Sequence, residues 1–85
     1  MTVNMYSLKD TVIGEFVFPV AAHNDQDAIR LARLSCRPEN KDLYSKARDM
    51  QLFKIGSFDS VTGKVNSDVK HLFNLCECFK EVDGE

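Results

Sequence analysis

Residues 49–65, DMQLFKIGSFDSVTGKV, contain an apolar run, a turn and the start of a second apolar run. Phe53 and Ile55 alternate to one side of the first run, which is the period of a β-strand. Leu52 and Phe58 are assigned to the opposite side. Because both sides carry apolar residues, the pattern predicts a strand covered by a helix on one face and by a partner subunit on the other.

The turn within this stretch has the composition of a hairpin loop. Asp59 to Gly63 would form a loop of about five residues, in which Asp59 bonds to its own turn. Gly63 would supply a left-handed backbone position, which glycine adopts readily. The return strand then begins at Val65.

Two further strands are predicted in the N-terminal part of the chain. Val3 to Leu8 and Glu15 to Ala22 both alternate in the manner of strands. A loop over Lys9 to Gly14 would join them. Pro19 has no backbone N–H to donate, so it favours an edge strand or a bulge within the second segment.

One helix is predicted between these strands and the hairpin. Asn24 or Asp25 can cap its start. The helix should run from about Asp25 to Cys36, because Pro38 would stop it. Its apolar side is broad enough to cover a small sheet. The residues of that side are Ala28, Ile29, Leu31, Ala32, Leu34 and Cys36.

The remaining segments are more polar. Residues 39–48 are predicted as a loop or a short helical turn, and residues 66–70 as a loop. Residues 69–80 fit the spacing of a helix and that of a strand equally well, and a short final strand is favoured.

These elements predict an α+β fold of order ββαββ, a small antiparallel sheet of about four or five strands with one main α-helix packed on it. The chain would form a single domain, residues 1–85, with an acidic frayed tail from about residue 81. One helix cannot cover both faces of such a sheet. The apolar residues on both faces therefore favour a homodimer.

The composition is that of an ordinary soluble globular protein, with 44% hydrophobic and 28% charged residues. No apolar run approaches the roughly 20 residues needed to span a membrane, and the N-terminus lacks the pattern of a secretory signal. The three cysteines are an odd number and do not indicate a disulfide framework. A reducing cytoplasm is therefore the expected setting.

Basic residues are concentrated in the middle of an acidic chain. The net charge is −2, but the segment from Arg30 to Lys54 carries +4 and the remainder −6. Such a segment could bind nucleic-acid phosphates through a salt-dependent and sequence-tolerant attraction. A solvated helix face and loop would have the same composition. The candidate DNA-binding residues are Arg30, Arg33, Arg37, Lys41, Tyr44, Lys46, Arg48 and Lys54.

Aromatic side chains near these basic residues could add base stacking. Phe16, Phe18 and Phe53 are expected to fill the core. In that position Phe53→Ala would destabilise the protein by ~3–5 kcal/mol. The candidates for stacking are Tyr6, Tyr44 and Phe58.

No enzyme is predicted, and no cofactor or metal is expected. Cys76-Glu-Cys78 with His71 fits a zinc site poorly, because paired cysteine ligands are usually separated by about two to four residues. The sequence also contains no glycine-rich phosphate loop and no recognisable pair of nucleophile and base.

Several short pieces together resemble a known family. In chain order they are Met5-Tyr6-Ser7 with Lys9-Asp10, Phe18-Pro19, Asn24-Asp25 with Ala28-Ile29-Arg30, and Leu52-Phe53-Lys54-Ile55-Gly56 with Phe58-Asp59 and Thr62-Gly63. They resemble the small nonstructural DNA-binding protein of gokushoviruses, the microvirus phages with circular single-stranded DNA genomes. The likeness covers most of the chain from Val3 to Val65. It departs at Ser45 to Arg48, where the family pattern has a proline followed by acidic residues.

The resemblance implies a viral nonstructural, single-stranded DNA-binding accessory protein involved in phage genome replication and packaging. It would act in the cytoplasm of an infected bacterium, with single-stranded DNA and viral or host replication proteins as partners and no membrane. The alternative is a protein–protein adaptor of the replication or packaging machinery that does not contact DNA. The two-faced apolar strand and the acidic ends favour that alternative.

Overall fold

Five β-strands and one main α-helix are found in the part of the chain that the structure describes. The computed structural model describes residues 1–17, 19–34, 37, 39 and 45–77. In chain order the elements are β1 (Thr2–Asp10), β2 (Glu15–Phe16), β3 (Val20–Ala22), α1 (Asp25–Leu34), β4 (Met50–Asp59) and β5 (Val65–Asn74). The predicted α+β class, with one main helix on an antiparallel sheet, is confirmed.

The strands form one antiparallel sheet of order β2-β1-β4-β5, in which β3 also pairs with β1. β2 lies beside Lys9 and Asp10, and β3 lies beside residues 4–6. Together they form a single edge strand that is broken around Pro19. The predicted interruption of the second strand is therefore confirmed, and its cause is the missing proline N–H.

α1 covers one face of the sheet, which we call the helix side. Tyr6 and Leu52, at 0% and 4% exposure, pack there with Ala28 and Ala32 of the helix. The two small alanines allow the helix to approach the strands closely. We call the opposite face, which carries Phe53, the open face. The buried cluster consists of Tyr6, Ala28, Ala32, Ala47, Met50, Leu52 and Leu75.

The start of α1 is capped and attached to β1. The Oδ1 atom of Asn24 accepts a hydrogen bond from the Asp27 N–H at 2.8 Å, which satisfies a free amide of the first turn. The Tyr6 hydroxyl donates to Asp25 Oδ1 at 2.8 Å, so the helix and the sheet share a polar contact. The helix ends at Leu34. The last predicted helical residues, 35 and 36, lie outside the described residues.

A β-bulge in β4 changes which side chains share a face. Consecutive residues of β1 pair with Lys54 and Gly56 of β4, which leaves Ile55 between them as an extra residue. Beyond this point Phe58 lies on the same face as Phe53. The prediction that these two phenylalanines face opposite sides is therefore wrong, because simple alternation does not include the extra residue.

The turn between β4 and β5 forms as predicted. The carboxylate of Asp59 accepts hydrogen bonds from the backbone N–H groups of Val61 and Thr62, at 2.9 and 3.3 Å. These bonds, that from Val61 first, lower the pKa of Asp59 because they favour its charged form. Gly63 has a φ of 79°, the left-handed value that the sequence predicts.

The chain after this turn differs from the sequence-based prediction. Residues 66–70 were expected to form a loop, but they belong to β5. Their polar side chains are compatible with a strand because β4 supplies the pairing partner and that part of β5 is exposed. The favoured final strand is confirmed as far as Asn74, whereas residues 75–77 leave it in a turn followed by helical residues. Residues 45–47 form the predicted short helical turn, whereas the predicted acidic tail lies outside the described residues.

Among the glycines that the structure describes, Gly56 is the one whose replacement should damage this fold most. An added Cβ would lie 2.0 Å from the carbonyl oxygen of Asn66, and φ is 152°. We expect Gly56→Ala to lower the free energy of unfolding by about 2–4 kcal/mol, from backbone strain and overpacking together. Urea denaturation followed by circular dichroism measures this change.

Gly63→Ala is the matched control for this experiment. Gly63 also has a positive φ, but an added Cβ there has open space around it. Gly63→Ala should lower the free energy of unfolding by about 1–2 kcal/mol, because only the strain of the left-handed backbone conformation is added. Equal losses for the two variants would show that the close approach to Asn66 does not matter.

The Tyr6 hydroxyl should make stability depend on alkaline pH. Burial, together with the Asp25 carboxylate, raises the pKa of Tyr6 from 10.0 to about 12. The folded state therefore holds this proton more tightly than the unfolded state. Its contribution to stability is complete below pH 10.0 and is lost as the pH rises towards 12.

Tyr6→Phe should abolish this part of the pH dependence. This variant should also lower the free energy of unfolding by about 1 kcal/mol at neutral pH, because the hydrogen bond from the Tyr6 hydroxyl to Asp25 is lost. Urea denaturation of both proteins at a series of alkaline pH values provides the comparison. If both proteins lost stability in parallel across this range, the dependence would arise from other groups.

Candidate nucleic-acid interface

Three aromatic rings lie next to one another across the open face of the sheet. Phe16 of β2 and Phe53 of β4 have ring centroids 5.3 Å apart, and Phe53 and His71 of β5 have centroids 5.4 Å apart. Both contacts are edge-to-face, with interplanar angles of 74° and 77°. We call Phe16, Phe53 and His71 the aromatic row.

A small residue of β1 lies beneath the row and lets its rings meet. Ser7 is directly opposite Phe53 in the ladder and is 2% exposed. Its hydroxyl donates to the carbonyl oxygen of Val17 at 2.5 Å, so the buried polar group is satisfied. Because β1 separates β2 from β4, a bulky side chain at Ser7 would force Phe16 and Phe53 apart.

A lysine accompanies the row on the same face. The Nζ atom of Lys9 lies 5.6 Å from the centroid of the Phe16 ring, within the range of a cation–π contact. Phe16 is 43% exposed and His71 is exposed as well, so both ends of the row can be reached from solvent. The face thus presents aromatic surface and a positive charge together.

The carboxylates of the strands are all on the other side of the sheet. Alternation along the strands, combined with the ladder register, places Asp10, Glu15, Asp59 and Asp68 on the helix side. Lys9 faces the open side. Among the strand residues, the open face therefore carries a cation and no anion, a distribution that the net charge of −2 conceals.

This arrangement has the two chemical components of a single-strand binding surface. Exposed aromatic rings can stack with unpaired bases, and each such stack contributes about 1–3 kcal/mol. A lysine beside the rings can neutralise a phosphate of the same strand. The absence of strand carboxylates on this face removes a repulsion that a phosphate would otherwise meet.

The arginines of α1 make other contacts. Arg30 forms an ion pair with Asp27 at 2.5 Å, and this partner lowers the pKa of the Asp27 carboxyl. The guanidinium of Arg33 lies 5.1 Å from the ring centroid of Phe73, which packs against the buried cluster. The first contact is an exposed ion pair within the helix, and the second lies between the helix and β5.

Among the other predicted cations, one lies on the face opposite the aromatic row. Lys54 lies on the helix side, because it is directly opposite Tyr6. Lys46 and Arg48 are exposed in the segment that leads into β4.

The last members of the predicted set follow α1 in the sequence. Arg37 is exposed after α1. Lys41 and Tyr44 lie outside the described residues. The sheet therefore separates Arg30, Arg33 and Lys54 from the row instead of gathering them around it.

The structure also revises the roles predicted for the aromatic residues. Tyr6, a stacking candidate, is 0% exposed and holds the helix, so it cannot stack with a base. Phe16 and Phe53 were expected in the core but lie on the open face and outside the buried cluster. Phe58 is on the open face, as a stacking residue would be. Phe18 lies outside the described residues.

Sequence reasoning missed Lys9 and His71 as parts of the site. Their own strands do show alternation, which places Lys9 with Ser7 on one face. Which residues of different strands become neighbours depends on the register, and no local pattern reveals that register.

An apolar cavity of about 310 Å³ lies beneath α1. Leu8, Val20 and Leu31 are among the residues that line it. The cavity is also lined by Tyr6, whose hydroxyl already donates a hydrogen bond to Asp25. It therefore offers apolar surface rather than catalytic groups.

The described residues contain no group of three His, Cys, Asp or Glu side chains placed to hold a metal ion. No described helix is both long and apolar enough to cross a membrane.

Comparison with known protein families identifies the family of the chain. A model of the phage ORF5 protein family matches residues 3–78, a range that contains almost all of β1 and every later element. Comparison with curated proteins and with solved structures gave no match. Because the family model spans most of the sequence, the chain belongs to the phage ORF5 protein family.

Proposed function

We propose that this phage protein is a nonstructural accessory protein that binds single-stranded DNA on the open face of its sheet. The aromatic row with Lys9 beside it is the observation that carries the proposal. Bases in a duplex are already stacked and paired, whereas those of a single strand are free to stack on protein rings. The surface therefore favours single-stranded over double-stranded DNA.

Membership of a phage family supports a role in genome handling. A sequence-tolerant surface suits a protein that coats or guides a newly made single strand during replication or packaging, because every base has a ring face to offer. The site of action is the cytoplasm of the infected bacterium.

A protein–protein adaptor is the second candidate. Val65 and Val69, which are 59% and 58% exposed, add apolar surface to the open face. A viral or host replication protein could cover this surface in place of DNA. Binding to a protein partner through apolar residues would depend weakly on salt, whereas phosphate binding weakens steeply as salt rises.

Phe16→Ala should weaken binding to single-stranded DNA by about tenfold, because one stacking ring is lost. Phe16→Tyr keeps a ring and should bind nearly as well as the unmodified protein. Fluorescence anisotropy with a labelled single-stranded oligonucleotide measures both. Val61→Ala, at an 81% exposed apolar position in the β4–β5 turn, is the matched control.

Two outcomes would contradict the DNA-binding proposal. One is an unmodified protein that fails to bind the oligonucleotide even at low salt. The other is a correctly folded Phe16→Ala variant that binds as tightly as the unmodified protein. If the protein then captured a purified replication protein in a Phe16-dependent manner, the adaptor function would replace DNA binding.

The salt dependence of binding should locate the phosphate contacts. Lys9→Gln should reduce the slope of log affinity against log salt by about 0.7, the value for one contact to a single strand. The double variant Arg30→Gln, Arg37→Gln tests the basic segment. It should reduce this slope by less than Lys9→Gln does, since Arg30 already has Asp27 as a partner. The reverse order of effects would place the DNA along α1.

A further inference from the structure

β5 leaves one side of its backbone without a partner strand in the described sheet. It pairs with β4 and is the last strand of the order β2-β1-β4-β5. The side chains of residues 65–71 are all exposed. A long exposed edge with free N–H and C=O groups is a template for pairing with another strand.

The charges on β5 indicate which strand that is. Lys70 is directly opposite Lys54 of its own chain, and like charges in this position destabilise a sheet. The register of β5 shifts against β4 between Ser67 and Lys70, but the ladder places Lys70 on the helix side and Ser67, opposite Gly56, on the open face. Alternation between these two positions puts Asp68 on the same side of the sheet as Lys70. An acidic group approaching Lys70 from the outer side would relieve the repulsion, and a second copy of β5 carries one.

We propose that two copies of the chain pair antiparallel through β5, with a two-fold axis at Val69. In this register Asp68 lies opposite Lys70 of the partner subunit, and the symmetry makes this pair twice. The two Val69 side chains, each 58% exposed in the single chain, meet at the axis on the open face.

Other registers of self-pairing lack this complementarity. Centring the pair on Asp68 would place two carboxylates directly opposite each other, and centring it on Lys70 would do the same with two ammonium groups. The register centred on Val69 is the one that brings Asp68 and Lys70 of different copies together.

The dimer would have one continuous sheet with both helices on the same side. The two aromatic rows would share a single open face, displaced by four residues or about 13 Å along the strand direction. The dimer would double the surface on which a DNA strand can stack. That functional consequence rests on the proposed DNA-binding function. The β5 pairing itself does not rest on that function. It also leaves the open face free, unlike a dimer in which the second copy covers that face.

The charge pairs allow a swap experiment. Asp68→Lys alone and Lys70→Asp alone should each raise the dimer dissociation constant by about tenfold or more, since two attractive pairs become repulsive. The double variant Asp68→Lys, Lys70→Asp should restore the dimer. An equimolar mixture of the two single variants should form a heterodimer, which sedimentation velocity detects.

Two variants serve as controls for the change in net charge. Glu15→Lys, on the opposite edge of the sheet, matches Asp68→Lys, and Lys64→Asp, in the β4–β5 turn, matches Lys70→Asp. Neither should alter the oligomeric state. The proposal is overturned if the unmodified protein is monomeric at tens of micromolar, or if the swap variants dimerise as tightly as the controls.

The register can be tested by cross-linking. Val69→Cys should form a disulfide between the two copies under mild oxidation, and mass spectrometry of a digest should find it between the two cysteines at this position. Val65→Cys, on the same face of β5, should give far less of its own self-linked product, because it lies away from the axis. Equal yields would overturn the register.

DNA binding and dimerisation can fail separately in these experiments. A dimer that does not bind the oligonucleotide would refute the proposed function and leave the β5 interface intact. A monomer that binds the oligonucleotide would refute the interface alone.

Discussion

The pairing of β4 with both of its neighbours is the constraint on which the rest of the structure depends. Its bulge inserts Ile55 into the ladder with β1, and Gly56 then passes so close to the backbone of Asn66 that no side chain fits. Because side chains alternate along a strand, this single extra residue exchanges the two faces beyond it. Phe53 and Phe58 therefore share the open face, which simple alternation would not allow.

The two faces of the sheet then take different roles. On the helix side, small alanines of α1 pack with Tyr6 and Leu52, and the Tyr6–Asp25 hydrogen bond fixes the helix at its first turn. The larger phenylalanines Phe16 and Phe53 are thus not needed to fill this core. They lie on the other face, where contacts between rings replace contacts with a helix.

The charges are divided in the same way as the apolar residues. The strand carboxylates are on the helix side, where Asp59 also organises a turn, whereas Lys9 is beside the exposed rings. A net charge of −2 therefore coexists with a face on which an anion meets a cation and no strand carboxylate. The concentration of basic residues between Arg30 and Lys54 is real along the sequence. In the fold, however, Arg30 and Arg33 act largely within their own helix and its contact with the sheet.

The sequence by itself determined the elements whose signals are local. Alternation marked the strands, Asn24 and Asp25 marked the start of α1, Pro19 marked the broken edge, and Asp59 with Gly63 marked the turn. Each depends on the conformational preferences of a few neighbouring residues. Only the tertiary structure decided that residues 66–70 form a strand, that Tyr6 is buried, and that Phe16, Phe53 and His71 form a row. These outcomes depend on register and on the bulge, because contacts between strands are set by pairing over the whole ladder and not by any single segment.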